Sequence, residues 1–349
     1  MSRALVIGDG AAGTFSSWLL SKRGWEVTLA GRGTPCASMS AGCLRAAPRE
    51  CRPEVLEFLH HEKMPWATGV REGVSRIGTS YRCWMSPKHS TWTEGEAPES
   101  MAVVGLEGHP SLPARVASAV LKERGIRAEP IVLSSSVPSD VPLASSFHND
   151  EAWEVLAEEL EDSSAEAVLL PAIVPLQDYD RLDRLERRCG KRILEAITPL
   201  SSPGQRLTDI MLLKAREAGV TIWDGRKVTA LEVHGNRVGE ATVLGGREAR
   251  NIAVDAVVIA TGGPVVDGLN LKERAIEDPF GRFQVVGDGD PLKGGYAVSN
   301  GRLISSDGRV MANAAGAGDC LRSVGREYGS GLTQAFEGAY LAVRALEVA

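Results

Sequence analysis

No two of the six cysteines, at positions 36, 43, 51, 83, 189 and 320, stand in a CxxC spacing. Scattered in this way they fit reduced intracellular thiols, and they supply neither a disulfide framework nor a self-contained iron–sulfur site. The six histidines (His60, His61, His89, His109, His148 and His234) likewise form no compact metal motif. The adjacent His60 and His61 would diverge on a helix instead of meeting at i,i+4. No metal site is expected. No apolar stretch approaches the length of a membrane span and no basic signal-peptide preface opens the chain. The expected location is therefore cytoplasmic, with membrane contact only through a partner or a surface helix. Positive charge is not in surplus: 39 Lys and Arg face 45 Asp and Glu, a formal net charge of -6, which speaks against a general nucleic-acid surface. What remains is a 349-residue chain, 43% hydrophobic and 24% charged, able to bury a substantial core in two domains.

One absence is local. Residues 4 to 7 are a short apolar run suited to a buried parallel strand, and they lead into Gly8, Gly10 and Gly13 in a GxGxxG arrangement. Phe15 to Leu20 begins a helix that stops at Gly24, and Val27 to Ala30 reads as a second strand. The first glycine permits the tight turn, the second lets backbone approach a pyrophosphate, and the third lets helix pack on strand. The phosphates would sit against free N–H groups at the helix N-terminus. Yet the acidic residue that usually ends the second strand and grips an adenosine ribose is missing. The chain has Ala30-Gly31-Arg32-Gly33 there, with Arg32 able to meet a phosphate or to face solvent, so this motif alone does not choose between nicotinamide and flavin nucleotides.

Beyond residue 33 the small-residue segment to Pro48 contains Ser40, Gly42 and Cys43, where backbone can come close to a cofactor. Residues 49 to 100 read as excursions and edge strands. A second alternating pattern follows: strand 101–106, helix 112–123, strand 128–133, helix 150–160 and strand 167–170. It suggests an inserted mixed or parallel-sheet domain, with the Ser- and Pro-rich stretch 134–146 as a mobile crossing. After Pro199 the chain is expected to return to the first domain, with a helix at 207–218, a strand at 220–223 and a two-strand unit at 227–244. Asn251 to Thr261 then reads as a buried strand running into Thr261-Gly262-Gly263. The expected fold is α/β, a Rossmann-like flavin-binding domain (1–48 and 200–349) interrupted by a second α/β domain (49–199). Near the C-terminus, strand 310–314 precedes Gly318 and Asp319, and Gly329-Ser330-Gly331 opens a last helix. Glycines there admit backbone to a planar cofactor, Asp319 can accept from sugar or ribityl hydroxyls, and the helix N-terminus can stabilise a flavin anion.

In this order the motifs resemble a two-dinucleotide-fold flavoprotein, and more narrowly the B-subunit family of anaerobic glycerol-3-phosphate dehydrogenase. The resemblance is carried by Gly31-Arg32-Gly33 with Ser40 to Leu44, Gly78 to Trp84, Val103 to Leu106, Pro199 to Arg206, and Thr261 to Gly263 leading to Asp267 to Leu269. The stretch with Arg322, Arg326, Glu327 and Tyr328 departs from the glycine-richer family pattern. The resemblance implies FAD, with FMN the alternative, in a protein that works beside a larger dehydrogenase subunit. Electrons would pass between a small hydroxylated anionic substrate and an iron–sulfur or quinone-linked protein. Arg322 and Arg326 are the candidates for the anionic group, and His89 is a candidate acid or base. A stand-alone flavin-dependent reductase or oxidase, and a non-enzymatic scaffold with a vestigial nucleotide fold, are the competing readings.

Overall fold

The computed structural model describes residues 2–32, 35–107, 112–134, 150–198, 202–273, 275–287, 293–322 and 331–347. Of the expected features, Arg326, Gly329, Ser330 and all but the first residue of the 134–146 stretch lie outside them. The chain folds as two compact units. Residues 1–37, 47–59 and 208–349 make the first, and residues 38–46 and 60–207 the second.

The first unit opens as the glycine pattern demands, with β1 (Arg3–Ile7), α1 (Ala11–Lys22) and β2 (Glu26–Ala30). β1 pairs in parallel with β2 on one side and with β14 (Ala256–Ile259) on the other. Adding β10 (Thr221–Trp223) and β21 (Val310–Gly316) gives the parallel order β10-β2-β1-β14-β21, the 3-2-1-4-5 winding of a dinucleotide-binding sheet. Two short antiparallel strands, β20 (Arg302–Ile304) and β19 (Val298–Ser299), finish its edge. Between β14 and β19 the chain forms two small antiparallel pairs, β15 (Asn270–Lys272) with β16 (Ala275–Glu277) and β17 (Val285–Val286) with β18 (Gly295–Tyr296). Side chains alternate across the large sheet. Leu5, Ile7, Val257 and Ile259 pack in one cluster with Val228, Leu231, Val238 and Val243 of an antiparallel meander, β11 (Lys227–His234), β12 (Arg237–Gly245) and β13 (Glu248–Ala253). Asn313 staples the two layers: its amide donates to the carbonyls of Val238 and Asp255, and its Oδ1 accepts from the Val238 N–H. Elsewhere in the unit α1 packs with α2 (Arg52–Leu59) and the long C-terminal helix (Gly331–Glu347), joined by the ring cluster Phe15, Trp18, Phe58 and Phe336.

The expected single strand through 251–261 is two elements. Asp255 accepts the Arg3 N–H at 2.8 Å with its carboxylate and donates its own N–H to Arg3 O. That pairing ends the β13 ladder and starts the buried parallel one, where all four residues of β14 are buried.

In the second unit β6 (Ser100–Leu106), α3 (Ala114–Glu123), β7 (Arg127–Leu133), α4 (Asp150–Glu161), β8 (Ala167–Leu170), α5 (Asp180–Cys189) and β9 (Arg192–Glu195) build a four-stranded parallel sheet of order β7-β6-β8-β9. The 49–100 region contributes an antiparallel sheet of β3 (Trp66–Val74), β4 (Ser80–Pro87) and β5 (Thr91–Thr93). Val74 and Trp92 share a core with Met101, Val103 and Leu169. Ser38–Ala46 belongs here because Leu44 bridges Met85, its N–H donating to Met85 O at 2.8 Å. α6 (Ser202–Glu217) starts in this unit and ends in the first.

Candidate functional site

The glycine turn of the first unit has three glycines with three different surroundings. Gly8 has φ +110°, and a Cβ there would lie 2.2 Å from the carbonyl oxygen of Ala260, so only glycine lets the turn pass the end of β14. At Gly13 a Cβ would lie 1.7 Å from Gly8 O, which fixes the close packing of helix on turn. Gly10 is the contrast: its Cβ would meet nothing within 4 Å, and it caps α1 with no side-chain hydrogen bond. The first turn of a helix leaves backbone N–H groups without intrahelical partners. The open space in front of Gly10 is where an anion can reach them.

Two further loops of the same unit stand at this end of the sheet. After β14, Gly262 has φ +80°, and a Cβ on Gly268 would lie 2.0 Å from Gly262 O, so Thr261-Gly262-Gly263 is held in a closed loop; the Thr261 hydroxyl donates to Gly268 O. After β21, Gly318 has φ +75° and a Cβ there would touch that of Ala12 at 2.7 Å. Gly318 and Asp319 are thus set against the first turn of α1. A Cβ on Gly263 would lie 3.3 Å from Asp319 O, bringing the two loops together. The Asp319 carboxylate also adds to burial in raising the Cys36 thiol above its ordinary value.

The remaining expected residues are placed as follows. Arg32 is half-exposed and ion-paired with Asp267 at 3.2 Å. Arg322 is exposed, its backbone N–H donating to Tyr296 O. Gly331 is the first residue of the C-terminal helix, with open space at its Cβ position. Ser40, Gly42 and Cys43 lie in the second unit, where Ser40 Oγ accepts from the Gly42 N–H and Gly42, at φ +66°, packs against Pro203 O. Cys43 is buried against Cys83; that thiol contact and burial push its pKa well up, so it is held as a thiol. His89 is 2% exposed, with Nδ1 2.9 Å from Ile193 O and Nε2 3.1 Å from Asp183 Oδ1. Both ring nitrogens are taken up within the second unit, which leaves neither for a substrate. Burial works to raise the Asp183 carboxyl, but hydrogen bonds from Lys88 and His89 outweigh it and hold Asp183 below its ordinary value.

The sequence matches the family model DAO, FAD dependent oxidoreductase, over residues 3–277. The chain belongs to that family. No curated protein matches it. Among solved structures it is similar to THI4 of Thermovibrio ammonificans, with 10% identity, a TM-score of 0.42, and 99% of this chain and 90% of that one covered. It is also similar to 3-ketosteroid-delta4-(5alpha)-dehydrogenase of Rhodococcus jostii RHA1, at 11% identity and TM-score 0.43 with 99% and 97% covered. A third, p-nitrophenol 4-monooxygenase PnpA of Pseudomonas putida DLL-E4, is 11% identical at TM-score 0.32, covering 78% of this chain and 44% of that one.

The protein is a flavin-dependent oxidoreductase and its cofactor is FAD. The residues present fit it. The open approach at Gly10 to the uncapped end of α1 accommodates a pyrophosphate, and the loops at Thr261–Gly263 and Gly318–Asp319 are turned toward the same edge by their own close contacts. Among the described residues, no group of three or more His, Cys, Asp and Glu side chains is arranged to hold a metal, and no helix is long and apolar enough to cross a membrane.

Proposed function

We propose that this oxidoreductase is the flavin-bearing subunit of a dehydrogenase acting on a small hydroxylated anion of the glycerol 3-phosphate type. It would deliver electrons to an iron–sulfur or quinone-linked partner, beside a larger dehydrogenase subunit. The redox role follows from the family match over residues 3–277, and the single observation behind the cofactor's place is the open, uncapped N-terminus of α1 at Gly10. The substrate class rests on the ordered likeness to the B-subunit family that runs along nearly the whole chain.

FAD, when bound, supplies a two-electron acceptor for hydride from an alcohol carbon. The chain's own residues hold and orient it. The α1 N–H groups bind the pyrophosphate, the Asp319 carboxylate accepts from polyol hydroxyls, and the loop at Thr261–Gly263 brings backbone against the cofactor. Arg322, exposed just past the Asp319 turn, presents a guanidinium for a phosphate or carboxylate. Arg326 has the same assignment from its place in the sequence. A partner is included because a flavin reduced here passes its electrons to a second redox centre, and the cysteine spacing offers no ligand set for one in this chain.

The test is anaerobic reduction of the purified, FAD-loaded protein by glycerol 3-phosphate, with the larger subunit absent and then present. Flavin bleaching that depends on the larger subunit supports the proposal. Rapid turnover by the chain alone with a soluble acceptor would make it a stand-alone reductase or oxidase instead.

A further inference from the structure

The strand-end carboxylate that usually grips the adenosine ribose is missing from β2, and the structure shows what stands in its place. We infer that Asp9, inside the glycine turn, is the ribose-binding acid of this protein, accepting hydrogen bonds from the 2′- and 3′-hydroxyls of the adenosine half of FAD. The inference rests on the FAD assignment and not on the proposed substrate.

Gly31 is the first residue after β2, where that acid or its neighbour would sit. Its backbone is fixed from both directions: the Gly31 N–H donates to Trp223 O at 3.0 Å, and Gly31 O accepts the Arg226 N–H at 2.9 Å. A Cβ built on this backbone would lie 2.1 Å from Asp9 Oδ2 and 2.3 Å from Asp9 Cγ. The Asp9 carboxylate therefore fills the space in which a side chain at residue 31 would start. A side chain on residue 31 and Asp9 as it now stands compete for the same space, so the acid of the turn occupies the place from which a strand-end carboxylate would reach the same crevice. At the C-terminal end of β1 and β2 the crevice is also the place where a sheet of this winding receives a dinucleotide.

The charge at Asp9 wants donors. Burial raises its pKa, its own backbone N–H partly offsets this, and the neighbouring charge acting on it is another carboxylate, Asp224. Arg32, next to Gly31, pairs with Asp267 instead. Two ribose hydroxyls would donate to a carboxylate that is partly desolvated and faces like charge, a setting in which such hydrogen bonds count most.

The experiment uses FAD-free protein and calorimetric titration with FAD, FMN, ADP and 2′,3′-dideoxy-ADP. Wild-type protein should bind ADP about ten- to a hundredfold more tightly than dideoxy-ADP, the worth of hydrogen bonds to a charged group. Asp9→Ala should weaken FAD and ADP by a similar factor, bind ADP and dideoxy-ADP alike, and leave FMN unchanged. Asp9→Asn, of the same shape, should lose part of the discrimination. The dideoxy comparison on wild-type protein reads the contact even if a variant folds poorly. Equal binding of ADP and dideoxy-ADP by wild type, or undiminished FAD binding by Asp9→Ala, overturns the inference alone. Tighter FAD binding by Asp9→Ala overturns it too, since the carboxylate would then be repelling the phosphates. Wild-type protein that takes FMN but not FAD overturns the cofactor assignment along with it.

Discussion

Gly10→Ser should separate the cofactor site from the fold, because the two respond to it with opposite sign. Gly10 has φ -71° and ψ -176°, extended backbone that any residue adopts, and its Cβ position is open for 4 Å. A serine there is also a better N-cap than glycine by a few tenths of a kcal/mol, and replacing a glycine at a compatible conformation stabilises by about 0.4–1 kcal/mol through the unfolded chain. The FAD-free variant should therefore melt at or slightly above the wild-type temperature. In the loaded protein the hydroxyl takes an α1 N–H that the pyrophosphate needs, and Cβ occupies its approach. Losing one hydrogen bond to a charged group costs about 1.5–3 kcal/mol, so FAD should bind at least tenfold more weakly. Gly13→Ala is the control: its Cβ would lie 1.7 Å from Gly8 O, a clash with backbone that must pry helix from turn and lower stability by about 1–3 kcal/mol or more. Flavin fluorescence titration and thermal melting of the FAD-free proteins read the two effects. Wild-type FAD affinity in Gly10→Ser would refute the placement of the pyrophosphate. So would a loss of FAD accompanied by a drop in melting temperature as large as that of Gly13→Ala.

The parts of this molecule that announce themselves in sequence are those decided within about thirty residues. β1, α1 and β2 follow from a four-residue apolar run, three glycines and a second run, and Gly8 and Gly13 make the close approaches that their spacing implies. The alternation of the inserted unit reads equally well through β6, β7 and β8, the last residue for residue, whereas β9, four residues with a charge at each end, does not announce itself. α5 does not: its apolar stripe is only Leu182 and Leu185, amid seven charged residues. His89 invites a chemical role only while its partners are unknown, and they come from Asp183 and Ile193, 94 and 104 residues away. The most consequential gap concerns Asp9. An acid within a glycine turn was visible, as was the absence of one after β2, but joining them needs the approach of Asp9 to Gly31, which only the pairing of β1 with β2 creates. The pair of Arg206 with Glu195 is local, 11 residues apart and 2.7 Å between charged atoms, but its burial, 1% exposed on each side, is set by the surrounding fold and so is not legible in the sequence.

That pair carries a second prediction. Arg206→Ala leaves Glu195 buried without its cation and should destabilise the protein by about 3–5 kcal/mol in thermal unfolding; unchanged melting would show that the pair is not closed in solution. A third concerns Asp307, whose pKa hydrogen bonds from Ser305 and then Arg309 pull down to about 2. A depressed carboxylate contributes stability above its ordinary 3.8 and loses it as pH falls through about 2, and Arg309→Ala should move its NMR titration midpoint back toward 3.8. The last returns to Asp9, whose shift has the opposite sign. Its folded-state pKa is raised above 3.8, so just above that pH the folded protein keeps a proton that the unfolded chain has released. Stability of the FAD-free protein must then fall as pH rises through that window and stay lowered at neutral pH. Asp9→Asn removes the charge and with it the penalty. The FAD-free variant should melt above wild type at pH 7, and the difference should vanish below pH 3.8, where both chains are neutral at this position. Saturating FAD should reverse the order at pH 7, because the ligand stabilises whichever protein binds it more tightly. A variant that melts below wild type without FAD would show that the carboxylate serves the fold, and one that melts above wild type with FAD would show that it does not serve the ribose.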